Sequence, residues 1–275
     1  MKLFSLVLGL TALSSAAFAA DLPARKSPPE LPVVFQPFSW TGFYVGANAG
    51  YADPNARIGI TPGGAWVGDP DIAGVTSAAT RNLRLQGFTG GAQAGYNYQV
   101  NNFVFGLEAD LNGLNVNKSF ASPVFAGVGG GTYSANGAVS LNYLATVRGR
   151  LGFAADHWLF FVTGGVAFTG EKFREAILFN NQTRILNLPL TGPAGGANAG
   201  SASKTSANWT LGGGVEYAFS QQWSAKAEYL YVKLSNLQFG SVYGPNNFTG
   251  NTYTIQHRAR LSGLNVLRLG VNYHF

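Results

Sequence analysis

The chain has 275 residues, 37 glycines, no cysteine, 11% charged residues, 13% aromatic residues and a formal charge of +6. So many aromatics exclude a disordered chain, and so few charges exclude an ordinary soluble domain, where about 25% is usual. Without cysteine, disulfides contribute nothing to stability.

Residues 1–19 read as a secretory signal peptide. Lys2 supplies the basic start, Leu3 to Leu13 the apolar run, and Ala17-Phe18-Ala19 a small-x-small cleavage site. Residues 20–39 hold five prolines and no periodicity, which predicts an extended periplasmic linker. Residues 40–275 form the third segment. No later stretch holds the roughly eighteen consecutive apolar residues of a membrane-spanning helix. An exported, poorly charged, glycine-rich chain of this kind has the closed β-barrel as its membrane solution, which places it in a bacterial outer membrane.

The first strand, "GFYVGANAGY" from Gly42 to Tyr51, alternates with a period of two: Phe43, Val45, Ala47, Ala49 and Tyr51 share one face. The same alternation returns in segments that start near Phe88, Phe103, Tyr143, Trp158, Trp209, Trp223 and Leu267. Connections sort into two classes. Tight turns are expected at Val100–Asn102, Ala155–His157 and Ser220–Gln222, and long loops at about Ala52–Leu83, Ser119–Leu141, Ala176–Ser206 and Asn236–His257. The prediction is an all-β fold: an eight-stranded antiparallel up-and-down transmembrane β-barrel with four long outer loops and three short periplasmic turns. Phe38, Trp40, Tyr96, Tyr98, Phe103, Phe153, Trp158, Phe160, Tyr217, Phe219, Trp223, Tyr273 and Phe275 crowd the short-turn end and are expected to form its interfacial belt.

The inward positions carry four acids and four bases: Glu108, Asp110, Arg148, Arg150, Glu216, Lys226, Glu228 and Arg268. In a bore only wide enough for side chains, balanced charges are expected to pair and plug it; a charge-lined small porin is the alternative. Lys118, Lys172, Arg174, Lys233, Arg258 and Arg260 fall near the long-loop ends of strands, where they are expected to meet phosphates of lipopolysaccharide. The histidines are scattered at positions 157, 257 and 274, with no nucleophile–base spacing, so no enzyme is expected. Haem capture by His257 with Tyr243 and Tyr253 in the last long loop is a further alternative. No metal site and no nucleic-acid partner is expected.

The segments "AFAADLPARK", "FSWTGFYVGANAGY", "VRGRLGFA", "WTLGGGVEYAFS", "WSAKAEYLYVKL" and "RLGVNYHF" together resemble the Omp25/Omp31 family of alphaproteobacterial outer-membrane proteins. The resemblance implies an eight-stranded porin-like barrel that contributes to envelope integrity and surface interaction in a Gram-negative cell. It also implies that Leu269, Val271, Tyr273 and Phe275 are the C-terminal signal read by the barrel-assembly machinery. Some members of that family bind haem.

Overall fold

The computed structural model describes residues 38–127, 131–180, 196–245 and 250–275. The expected signal peptide, and the expected linker up to residue 37, lie outside the described residues. In chain order the elements are β1 (Gly42–Asp53), β2 (Asn55–Gly64), α1 (Ile72–Ala79), β3 (Arg81–Arg84), β4 (Gly87–Val100), β5 (Phe103–Ala121) and β6 (Phe125–Ala126). They continue with β7 (Thr132–Ala155), β8 (Trp158–Asn180), β9 (Gly196–Ala218), β10 (Trp223–Val232), β11 (Leu237–Tyr243), β12 (Tyr253–Leu261) and β13 (Leu264–His274).

All pairings are antiparallel. β1 pairs with β4, β4 with β5, β5 with β7, β7 with β8, β8 with β9, β9 with β10, β10 with β13, and β13 with β1 again. The last strand therefore has partners on both sides, and the Phe275 N–H donates to the Phe43 carbonyl at 3.0 Å. The tight turns stand where the sequence puts them. Asn101 and Asp156 take φ of 54°, a left-handed conformation that Asn and Asp tolerate better than other side chains.

Alternation follows the predicted phase. On β8 Trp158, Phe160, Val162, Val166 and Phe168 are exposed, while Leu159, Phe161, Thr163 and Ala167 are buried. From Trp158 to Phe168 is ten residue steps, about 33 Å of strand, which at a tilt of about 40° covers the roughly 25 Å of an outer-membrane apolar band. A second set of rings marks the far edge of this band: Tyr51 packs on Phe88 at 5.6 Å and Trp209 on Tyr231 at 5.3 Å. Tyr143 lies across Gly170, where a Cβ would come within 2.4 Å of its ring.

Two expectations are corrected. The long connections are not simple loops. β7, β8 and β9 run for 24, 23 and 23 residues, more than twice the length a bilayer needs. Beside them stands a second sheet in the order β11-β12-β2-β3, drawn from the first and last long connections. Its Ala56, Ile58, Leu237, Ala259 and Leu261 pack with Leu114, Val139, Leu141, Phe173 and Val266 in an apolar core. α1 adds Val75, Ala78 and Ala79 to a neighbouring cluster around Trp66, Tyr133 and Ile177.

The second correction concerns the belt. Phe38 is 6% exposed and Trp40 0%, so neither joins the ring of outward aromatics. They precede the first strand and turn inward, packing with Val104, Ala154, Leu159, Phe161 and Ala218 across the short-turn end. Phe38 meets Trp40 edge-on at 4.8 Å, and the Trp40 backbone N–H donates to Gln99 Oε1 at 2.9 Å. Coil has no period, so alternation could not assign their direction.

Candidate functional site

The interior of the paired strands holds the charges. β5 supplies Glu108 and Asp110, β7 Arg148 and Arg150, β9 Glu216, β10 Lys226 and Glu228, and β13 Arg268. Cross-strand register already opposes unlike charges: Glu108 faces Arg148, Glu216 faces Lys226, and Glu228 faces Arg268. Opposed residues on one face of a sheet are the closest neighbours available, so the strand pairing itself builds the contacts.

Arg148 is the centre of the larger group. Its guanidinium contacts Glu108, reaches Asp110 at 2.8 Å and Glu228 at 2.6 Å. Arg268 reaches Asp110 at 3.0 Å and Glu228 at 2.7 Å, and Lys226 Nζ reaches Glu108 at 2.8 Å. Nearer the short turns Arg150 pairs with Glu216 and stacks 3.9 Å from the Phe161 ring centre. Side-chain exposure across these pairs is 0 to 3%. Buried charges need this degree of pairing, because an uncompensated one costs several kcal/mol.

Further polar groups complete the network, and the sequence reading missed them. Tyr44 Oη donates to Glu108 at 2.7 Å, Thr146 Oγ1 to Asp110 at 2.7 Å, and Asn272 Nδ2 to Glu216 at 2.6 Å. His274 shares a 2.9 Å hydrogen bond with Ser224, which also donates to Glu216. All five lie on the inward phase of their strands, and that phase was the signal available to find them.

The haem alternative is corrected by the surroundings of His257. It sits inside β12, 0% exposed, with Nδ1 2.8 Å from Glu175 Oε2 and Nε2 2.7 Å from Ser241 Oγ. Its ring stacks on Phe239 at 4.5 Å. Both nitrogens are engaged, so neither is free to ligate iron. Tyr253 is buried against Trp66 at 5.0 Å, and Tyr243 packs on Phe179 at 4.9 Å. Beyond the membrane band, burial pushes the Glu175 carboxyl up, while the hydrogen bond and charge of His257 hold it down, and the upward push is larger.

The remaining predicted residues are spread over two surfaces. Lys118 on β5, Lys172 and Arg174 on β8, and Lys233 just after β10 are exposed beyond the apolar band. Arg258 and Arg260 instead lie on the solvent face of the second sheet, with Arg57 and Arg84, which the sequence reading did not single out. On β13, Leu269 is 66% exposed and Phe275, just past it, 76%; Val271 is exposed and Tyr273 packs against Trp223 at 5.2 Å.

A family profile described as "Outer membrane protein beta-barrel domain" matches residues 5–275. The 31 kDa outer-membrane immunogenic protein of Brucella melitensis is 30% identical over 264 residues, covering 95% of each chain. The 25 kDa outer-membrane immunogenic protein of Brucella canis is 25% identical over 268 residues, 97% of this chain and 94% of the relative. Among solved structures, the outer membrane protein OprG of Pseudomonas aeruginosa aligns with 86% of this chain and 97% of its own, at 10% identity and a TM-score of 0.38. With its antiparallel strands, lipid-type outer face and full-length match, the chain belongs to the outer-membrane β-barrel family and, within it, to the Omp25/Omp31 group of Gram-negative outer-membrane proteins.

Proposed function

We propose that this chain is an eight-stranded transmembrane barrel with a plugged interior, a structural and surface-interaction protein of the envelope and neither a pore nor an enzyme. The observation that carries this reading is the interior network: Glu108, Asp110, Glu216 and Glu228 neutralise Arg148, Arg150, Lys226 and Arg268 with almost no exposed side-chain area. A ring of eight strands leaves room only for side chains. The Phe38–Trp40 cluster lies across one end of that interior and the aliphatic core beneath the second sheet across the other. Conductance in planar bilayers tests it. Wild-type protein should give no ohmic steps; stable steps would make it a small porin.

Lipopolysaccharide contact belongs to the same reading. Lys118, Lys172, Arg174 and Lys233 are exposed just past the apolar band, at the level of outer-leaflet phosphates if the long connections face outward. Changing all four to Gln should lower the lipopolysaccharide that co-purifies. Unchanged lipid content would remove this contact and leave the plug intact. The terminal residues Leu269, Val271, Tyr273 and Phe275 are proposed as the assembly signal; deleting Phe275 should reduce the fraction of heat-modifiable, membrane-inserted protein.

A further inference from the structure

The second sheet carries a feature that a plugged barrel does not use. On its solvent face Arg57, Arg84, Arg258 and Arg260 are exposed, while the alternate residues Ala56, Ile58, His257 and Ala259 are buried. Register sets Arg260 directly opposite Arg57, places Arg258 opposite Gly59 one pleat further on, and sets Arg84 opposite Asn55. Opposed side chains stand about 5 Å apart, and those two residues along a strand about 7 Å. Among the described residues, none of the four guanidinium groups meets a carboxylate: the ion pairs engage Arg148, Arg150, Arg268, Lys226 and histidines instead.

Like charges placed directly opposite destabilise a sheet, and here no acid relieves them. The arrangement has a further regularity. Arg57 and Arg260 stand between two concavities and line both. One, of about 240 Å³, also takes in Thr61, Thr80 and Arg258; the other, of about 440 Å³, also takes in Asn82, Arg84 and Ser262. Apart from the arginines, the polar side chains in these walls are hydroxyls and amides, all able to donate.

We propose that this face binds a saccharide bearing two or more phosphate or sulfate esters, one ester in each concavity, with Arg57 and Arg260 shared between them. Guanidinium forks match the oxygens of such esters in pairs. A lone inorganic anion would occupy only one half of the site. Two sources offer this chemistry: the glycolipid of the surrounding outer leaflet and a sulfated glycan of another surface.

The experiment uses full-length folded protein in non-ionic detergent and measures affinity for dispersed lipopolysaccharide and for heparin, with neutral dextran as the blank. At least one probe should bind and should weaken as salt is raised. Arg57→Gln/Arg260→Gln should weaken it by about tenfold or more, while Lys204→Gln, an exposed charge on β9, should not. Heat-modifiable mobility on gels shows that each variant is folded, and Arg84→Gln/Arg258→Gln serves if the first pair fails to fold. Loss confined to lipopolysaccharide assigns the site to the membrane's own glycolipid; loss confined to heparin assigns it to a sulfated glycan; loss of both supports the shared ester chemistry. Neither probe exceeding dextran, unchanged affinity in the double variant, or an equal loss in Lys204→Gln overturns the proposal. Binding in detergent is independent of conductance, so its failure leaves the plugged barrel standing.

Discussion

The two halves of strand β8 obey opposite rules. From Trp158 to Phe168 the outward side chains are apolar, and the sheet around them encloses charges. Past Gly170 the outward side chains include Lys172 and Arg174, while the inward ones include Phe173, Ile177 and Phe179. On β9 the outward side chains likewise change from Trp209 and Leu211 to Ser203 and Thr205, although there Lys204 on the inward phase is exposed as well. Along β8 the alternation holds throughout, and only its polarity inverts. The solvent outside changes from hydrocarbon to water at that level, and burial preference follows the solvent rather than the strand. On β8 a single period of two therefore spans both the membrane part and a water-exposed part with a conventional apolar core.

The contrast can be broken from the inside of the membrane half first. Arg148→Leu leaves Glu108, Asp110 and Glu228 without their shared guanidinium and should cost about 3 to 5 kcal/mol. Urea unfolding in detergent or lipid measures it, and a loss near zero would mean that water already fills the interior.

A paired substitution on β8 locates the inversion itself. Val162→Lys puts a charge in the apolar band and should cost about 2 to 4 kcal/mol. Leu178→Lys, on the same outward phase of the strand but past the boundary, should stay within about 0.5 kcal/mol. Equal costs for the two would erase the boundary drawn between Phe168 and Lys172.

The smallest expected effect lies in the water-exposed half. Burial raises the folded-state pKa of Glu175 above its unfolded value, so the folded chain holds more protons between the two values. The contribution is then fully present below about pH 4 and is lost as pH rises through the raised value. Hydrogen exchange of the β12 amides should show an opening free energy that falls over this window in the wild type, and a flatter profile in Glu175→Gln. A profile rising with pH would reverse the assigned sign.

The legible part of the site was the part that lies in regular strands. Glu108, Arg148, Glu228 and Arg268 could be assigned inward because a lipid-facing charge is so costly that the phase has one solution. Tyr44, Thr146 and Asn272 share that phase and were passed over because a neutral polar residue forces no such choice. The crowding of aromatics at the short-turn end predicts Trp40 outward, but a coil residue has no phase to obey. Alternation puts Tyr51, Phe88, Trp209 and Tyr231 outward, but it does not show them as a second belt, because they lie within strands, away from any tight turn.

Local pattern alone was enough for the strands that carry the apolar band, their phase, the short turns and the members of the charge network. These are local consequences of a period of two set against hydrocarbon. Tertiary structure alone decided that β2 and β12, nearly two hundred positions apart in the chain, lie side by side with Arg57 opposite Arg260. It also decided that His257 is buried between Glu175 and Ser241, and that Phe38 and Trp40 close one end of the interior. Those facts depend on which segments meet across long separations. Alternation says which side of a strand is buried, and is silent about what buries it.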